Sequence, residues 1–511
     1  MDNSYDARTE RRRILLNNDM SASFSATCSP AARTALEVQR GIESYVDELA
    51  AAKIDATATC LFSGYRTLFP CSVPGTEDRL RTPVQEQKSV SSEAMVAFQS
   101  RLRPLIEEGG DPVAIQLRRC QELGIEYLAC LRMNDRHPGG GPFKMQREDL
   151  HLEDLQHLGE YRRGFDFTHE IVRENLLGIA ADILRRYDVD GLELDWVRWC
   201  RVFPMAVATH RAPLLTDFTA SVRALLDEAA ARRGRDRLTL SVRVPQTLEE
   251  CRKLGFDLEA WMKTAALDCI CPSDFLFTDY GTPVEDFAAL AKGSKCRVYP
   301  SVHPVFAWGD DERLMTAENY QALAKSFYHR GADGISAYNY QFHWREDAEM
   351  WPKALSFLTA IRFAGTLEGP RHYLFHALWD GNTSPTDEAH DHDIRLDRSE
   401  AQPSGVFRFY VHESSGMLLF KAIGLDEGEA LSVAINKHVV SGSQIATEIR
   451  SEGQSAKDGH PWGPFMIHRV RLATPPLQDK ENELKIALTA ARRESGTVEI
   501  REVEFVAPGP G

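Results

Sequence analysis

The 511-residue sequence contains no apolar run near the roughly 18 residues a membrane-spanning helix needs. Its opening, Met1 to Arg13, is polar and has no apolar core of the kind a secretory signal carries. The expectation is a cytoplasmic protein, or a periplasmic or secreted one whose signal has been removed. Cysteine is missing beyond Cys296. Of the ten present, Cys60, Cys130, Cys269 and Cys271 sit in apolar runs, where a free thiol behaves as a small hydrophobe. Cys269 and Cys271 form a C-x-C with no second pair nearby, which falls short of a zinc ligand set. No metal and no other cofactor is expected. Basic charge is also short: 60 Lys and Arg against 75 Asp and Glu leave a formal net charge of −15. That balance opposes a phosphate-tracking nucleic-acid binder, and neither nucleic acid nor a membrane is an expected partner.

What is present is ordinary globular chain, 43% hydrophobic and 26% charged, long enough for two or three domains. The first 365 residues or so alternate short β-type runs with longer helical patterns. The β runs are Ile14–Leu16, Ala56–Phe62, Ile125–Met133, Val189–Val197, Leu238–Val244, Leu267–Cys271, Arg297–His303 and Gly334–Tyr340. Eight strand-then-helix units can bury both faces of a parallel sheet only by doubly winding it or closing it; eight repeats over roughly 350 residues favour closure, so the fold expected is a (β/α)₈ TIM barrel over residues 1–368. From about His372 the helical period is lost. Short alternating runs replace it at Phe407–Val411, Met417–Ile423, Leu431–Ile435, Ile467–Leu472, Leu484–Leu488 and Val498–Val506. With polar turns between them, these predict a smaller all-β sandwich over residues 369–511.

In such a barrel the reactive side chains stand where strands end and βα-loops begin. Those positions turn polar almost without exception. They read Asn17-Asn18-Asp19, Ser63 to Arg66, Arg132-Met133-Asn134-Asp135-Arg136-His137, Glu193 to Arg198, Arg243, Ser273-Asp274, His303, and Tyr338-Asn339-Tyr340 with His343 and Trp344. The fourth run says most. Period-two alternation in Asp190-Gly191-Leu192-Glu193-Leu194-Asp195-Trp196 sends the leucines to the helices and Glu193 and Asp195 into the barrel, with Asp195 nearer the mouth. Thr239, Ser241 and Arg243 share a parity on the next strand, so Arg243 can reach those acids. A buried carboxylate needs such a partner or it neutralises; a Glu193–Arg243 ion pair serving the fold alone is one outcome.

Glycosidic cleavage commonly uses two carboxyl groups, one ionised and one protonated. Asp195 suits the nucleophile or general base, Asp274 suits the acid with Asp135 as second choice, and Glu193 joins the catalytic group by setting, with Arg243, the charge of Asp195. Turn or helix-cap duty is the alternative for both Asp274 and Asp135. Asn18, Arg132, Asn134, Asp135, His137, Arg198, Arg243, His303, Tyr338, Tyr340 and Trp344 form the expected substrate-binding set. The arginines and histidines against an acidic background suggest an anionic ligand, such as a uronic or sulfated sugar. Tyr338, Tyr340 and Trp344 can stack on sugar rings or simply pack in the core.

The stretch Tyr187 to Arg198 resembles strand four of the glycosyl-hydrolase-like family 10 proteins, and Arg132-Met133-Asn134-Asp135 and Asn17-Asn18-Asp19 look like that group too. The resemblance spans about residues 11–365 and implies a bacterial TIM-barrel protein of glycoside-hydrolase type. Strand four is also similar to the D-G-x-D-x-D-W-E signature of family-18 chitinases, in which the last glutamate is the acid; here Val197 stands in its place and Glu193 replaces the middle aspartate. The α-galactosidase-like clan, with a nucleophile ending strand four and an acid ending strand six, is similar by strand position.

The expected function is therefore hydrolysis of a glycosidic bond in an oligo- or polysaccharide, with a carbohydrate as partner and a homo-oligomer compatible with the composition. Two rivals stand beside it. One is a carbohydrate-binding barrel without catalysis. The other is a metal-assisted hydrolase or lyase using Asp19, His137, Asp195 and His303.

Overall fold

A computed structural model of the chain describes residues 13–19, 24, 27–64, 66–83, 93–135, 165–274, 278–307, 313–343, 350–362, 367, 369–375, 394–454 and 461–509. Eight parallel strands carry the N-terminal part: β1 Arg13–Asn18, β2 Ala56–Ser63, β3 Glu126–Arg132, β4 Gly191–Asp195, β5 Thr239–Pro245 and β6 Cys269–Ser273. After them come β7, in two pieces at Arg297–Val298 and Ser301–Val302, and β8 Gly334–Tyr338. Hydrogen bonding runs in chain order from β1 to β6; the first piece of β7 pairs with β6, the second with β8, and β8 returns to β1. The sheet therefore closes on itself through one broken strand. The break is at Tyr299-Pro300, where the proline has no N–H to give the ladder. Both neighbours are still held there, by Tyr299 N to Ile270 O at 2.9 Å and Ser336 N to Pro300 O at 3.1 Å.

Each expected run coincides with one of these strands, displaced by a residue or two at its ends. The eighth stops at Tyr338 because Asn339 adopts a left-handed backbone, φ 47°, which ends a strand. Helices fill the crossovers, among them Ala35–Ala51, Glu170–Arg186, Ala208–Arg232 and Ala317–His329. Helix Leu248–Lys253 is a turn and a half long, too short to show a period in the sequence.

The rim opposite the strand ends carries a fourfold pattern. Asp55, Asp190, Asp268 and Asp333 each stand just before an even-numbered strand. Each carboxylate accepts the backbone N–H near the start of the odd-numbered strand preceding it: Ile14 at 2.9 Å, Tyr127 at 2.8 Å, Leu240 at 2.9 Å and Val298 at 3.0 Å. An arginine neutralises each one, Arg362, Arg235, Arg237 and Arg297 in turn. After Asp190 and Asp333 comes glycine, and in both places a Cβ would strike the neighbouring strand's carbonyl, Thr239 O at 2.1 Å or Arg13 O at 2.2 Å. The strands close up only because no side chain is there.

The C-terminal part is built on two main antiparallel sheets, with a two-stranded ribbon of Gly453–Gln454 and Pro461–Trp462 beside them. One holds Ser404–Val411, Ala430–Ile435, His438–Val439 and Lys480–Ala490; the other holds Arg371–Leu374, Ile394–Asp397, Ser415–Ile423, Ile445–Arg450, Phe465–Ala473 and Thr497–Ala507. Inward residues alternate with exposed ones, and Phe409 meets Phe505 across the layers with ring centroids 6.5 Å apart. All six expected runs lie inside these strands. Ile445–Arg450, missed beforehand, is an edge strand with little burial, so its alternation is weak. The two parts meet along helix Ala317–His329, where Lys325 pairs with Glu413 at 3.2 Å and Asn319 donates to His372 O at 2.9 Å.

Candidate active site

Alternation along β4 sends Trp196 outward. There it packs against Phe167, Phe256 and Trp261 with centroids 5.3, 5.5 and 5.9 Å away, as part of the core between barrel and helices. Glu193 and Asp195 point inward and are 0% exposed. Strand register sets two tiers: Cys130, Glu193 and Ser241 share one, and Arg132, Asp195 and Arg243 share the one above.

In the lower tier Ser241 Oγ donates to Glu193 Oε2 at 3.1 Å, and the Asn17 amide meets Oε1. Burial, with the charge of Asp195 added, pushes the Glu193 carboxyl up to about 7; Arg243, Ser241 and Asn17 pull the other way.

In the upper tier Arg243 spends its donors on several groups at once. Nη1 donates to Asp195 Oδ1 at 2.9 Å, Nε and Nη2 donate to Ser273 Oγ at 3.0 and 2.8 Å, and Nη2 reaches Asp274 O at 2.9 Å. Its guanidinium also lies over the Tyr338 ring, 3.4 Å from the centroid. Asp195 Oδ1 takes a second bond from Val197 N at 3.1 Å. Asp195 Oδ2 accepts no hydrogen bond; Arg132 Nε is 3.9 Å away. Arg132 in turn donates to Asp19 Oδ1 and Asn339 Oδ1, both at 2.9 Å, and stands 3.6 Å from Asp135 Oδ2. Asp135 accepts from Ser63 Oγ. One arginine thus borders three carboxylates, Asp19, Asp135 and Asp195. Buried ions gathered this way persist only when paired and hydrogen-bonded.

The remaining expected residues divide. Asn134 staples two loops together: its amide donates to Trp199 O at 2.7 Å and Arg201 O at 3.1 Å and accepts from Phe165 N at 2.8 Å. Trp199, on the loop so held, has a left-handed φ of 61°, and Arg198 is buried with its guanidinium 5.4 Å from the Trp199 ring. Asp274 is half-buried at the end of β6. His303 is buried; its Nδ1 accepts from Val305 N at 3.1 Å. Desolvation, helped by the charges of Arg243 and Arg198, holds His303 well below the usual histidine range and keeps it neutral.

Four expectations need correcting. Asn18 does not face the mouth: parity turns it outward, where Nδ2 donates to Thr57 Oγ1 at 3.0 Å, and Asn17 is the inward member of the pair. Tyr340 is core, its hydroxyl donating to Ala354 O at 2.6 Å beside the Tyr320 ring. The Tyr338 ring is taken by Arg243, so it seats that arginine rather than offering the same face to a sugar. The Glu193–Arg243 ion pair is replaced by Asp195–Arg243, because the residue one register step higher lies level with the guanidinium. His137 and Trp344, and with them Arg136, lie outside the described residues.

Asp19, Ser63, Ser273 and Asn339 take larger parts than the sequence suggested. All stand at strand ends, but nothing in the sequence says that Arg132 takes Asp19 and Asn339, that Arg243 takes Ser273, or that Ser63 donates to Asp135. As for a metal, no group of three or more His, Cys, Asp or Glu side chains converges among the described residues. Asp19 and Asp195 are engaged by arginines instead.

The molecule is thus a (β/α)₈-type barrel followed by a β-sandwich, with an arginine-bound carboxylate cluster at the strand ends. No protein-family model matches the chain, and no curated protein matches it. Solved structures similar to it include the PgaB (BpsB) glycoside hydrolase domain from Bordetella bronchiseptica, at 13% identity and TM-score 0.39, covering 68% of this chain and 99% of that one. Others are the maltogenic alpha-amylase AmyB from Thermotoga neapolitana (10%, TM-score 0.38, 97% and 99%) and alpha-L-fucosidase isoenzyme 2 from Paenibacillus thiaminolyticus (10%, TM-score 0.40, 70% and 49%). Likeness at this level carries no argument about activity. The site has to speak through its own residues.

Proposed function

We propose that this protein is a glycoside hydrolase in which Asp195 is the nucleophile or general base. The observation that carries the reading is the asymmetry of that carboxylate. Oδ1 is anchored by Arg243 and Val197 N, which fixes its direction, whereas Oδ2 accepts no hydrogen bond. An oxygen so oriented and left with its lone pairs suits attack on an anomeric carbon, or removal of a proton from water.

Asp274 is the proposed general acid. Its backbone oxygen shares Arg243 with Asp195, and its half-buried side chain stands at the end of β6. Asp135, across Arg132 from Asp195, is the alternative. Two carboxyl groups about 5 Å apart give retention, and roughly 6.5–9.5 Å gives inversion. Arg132, Arg198 and Arg243 at the strand ends favour an acidic sugar, uronic or sulfated. The strand-four, strand-three and strand-one motifs support a member of the glycosyl-hydrolase-like family 10 group.

The test is a panel of acidic and neutral glycans with Asp195→Asn beside the wild type. Turnover on one glycan that falls by about a thousandfold or more in the variant supports the assignment; equal turnover dismisses it. The second reading, a carbohydrate-binding barrel without catalysis, draws on the complete burial of Asp195 and Arg243. It expects binding of a glycan with no product from either protein.

A further inference from the structure

The two inward carboxyl groups of β4 lie one tier apart in unlike surroundings. Asp195 holds the cations, with Arg243 at 2.9 Å and Arg132 at 3.9 Å. Glu193 has two neutral hydrogen-bond partners, Ser241 and Asn17. The ionisable groups around it are Asp195 on its own strand, Cys130 on β3 with Cys60 of β2 behind it, and Arg243 on β5; Cys271 on β6 lies beyond Ser241. The Cys130 thiol is itself pushed well up by burial, so it adds no charge.

Asn17 supplies a second, independent sign. Its Oδ1 is buried and accepts no hydrogen bond, while Nδ2 faces Glu193 Oε1. A primary amide has a donor end and an acceptor end of nearly the same shape. With the amide turned over, Oδ1 meets the Glu193 carboxyl, and the contact is a hydrogen bond only if that carboxyl brings a proton. Oδ1 then also takes the place beside the Cys130 thiol, whose Sγ lies 3.8 Å from the amide nitrogen in its present setting.

We infer that Glu193 is a neutral carboxylic acid in the working site, donating its proton to the Asn17 amide oxygen, and that it acts as a positioning residue whose ionisation at higher pH weakens the site. This deepens the reading of Asp195 as the reacting carboxylate and rests on it. While Glu193 is neutral, Arg243 has one anion to bind and stays on Asp195. Once Glu193 loses its proton, two anions compete for one guanidinium, and the strand ends lose one unit of positive charge. Burial and the neighbouring Asp195 put that change at about 7. An acidic sugar then binds less well, and the effect falls on KM more than on kcat.

Infrared spectroscopy of the full chain, titrated from about pH 9 down to about pH 5.5, tests the protonation without any substrate. The expected result is a protonated-carboxyl C=O stretch that grows in with a midpoint near 7 and is missing from Glu193→Gln. No such band in the wild type at the acid end, or the same band in Glu193→Gln, overturns the inference. Should the glutamine variant not fold, Glu193→Asp keeps an acid there and shifts the band; an unmoved band also overturns it. On a uronic oligosaccharide, wild-type KM is expected to rise about tenfold between pH 5.5 and pH 8.5, against less than about twofold for Glu193→Gln. Equal rises overturn the positioning role. A chain that shows the infrared band and cleaves no glycan leaves the protonation standing and removes the hydrolase reading instead.

Discussion

Arg243 lies over the face of Tyr338, its guanidinium carbon 3.4 Å from the ring centroid, while Nη1 of the same group donates to Asp195. The ring supplies a flat seat and a partial negative charge where a second carboxylate would have competed with Asp195. The direction of the candidate nucleophile is thus set by an aromatic residue four barrel strands away in the chain. Tyr338→Phe keeps the seat, and kcat/KM on the glycan that the panel identifies should stay within about threefold. Tyr338→Leu removes the seat, and a loss of about tenfold or more is expected. Equal effects of the two would break the link.

Removing Arg243 itself should cost more in stability than in any one contact. Arg243→Ala leaves Asp195 buried with only the more distant Arg132 nearby, and loss of one partner of a buried pair costs about 3–5 kcal/mol. The expected outcome is a lower Tm by thermal unfolding, partly recovered in Arg243→Ala with Asp195→Asn. A double variant no more stable than Arg243→Ala would show that the pair is not what holds this tier.

The acid is identified by its dependence on the leaving group. Asp274→Asn should depress cleavage of natural linkages by about a hundredfold or more, yet leave substrates with very acidic leaving groups nearly unaffected. If Asp135→Asn shows that pattern and Asp274→Asn does not, the two residues exchange roles.

Glu193 also makes stability depend on pH. Its carboxyl is raised from 4.5 to about 7, so its favourable contribution is complete below about 4.5 and is lost as pH rises through 7. The full change is about 3 kcal/mol. Urea unfolding should show the wild type weakening between pH 5 and pH 8 by more than Glu193→Gln does. Parallel curves for the two proteins would remove this contribution.

At the opposite rim, Asp268→Ala should destabilise by about 1–3 kcal/mol through the stranded Leu240 N–H and Arg237, without touching kcat. Loss of activity in a folded Asp268→Ala protein would mean that the two ends of the barrel are not independent.

Much of this was legible beforehand, for physical reasons. A parallel strand covered on both faces must read as an apolar run, so all eight strands stand out, and period two sends Glu193, Asp195, Ser241 and Arg243 to the interior. Parity also separates Asn17 from Asn18, though it has to be anchored to a strand start to say which one turns in. What the sequence conceals is choice among partners. Arg243 can reach either acid of β4, and only the register decides for Asp195. The meeting of Asp19 and Asp195 at Arg132 depends on spacing between strands far apart in sequence, and the burial of Tyr340 under Ala354 on how the following helix packs back. The aspartates before the even strands recur with a common role, but each is a single residue in a loop, too small a unit to register as a repeat.

Those four aspartates have a further meaning for how the protein can change. Each clasps two adjacent strands into a quarter of the barrel, and all four clasps sit at the far rim from Asp195. These four fastenings therefore owe nothing to the end that holds Asp195. Loops around Asp195 can be rebuilt while the fastenings beneath stay as they are, which makes this scaffold a sound starting point for redesign.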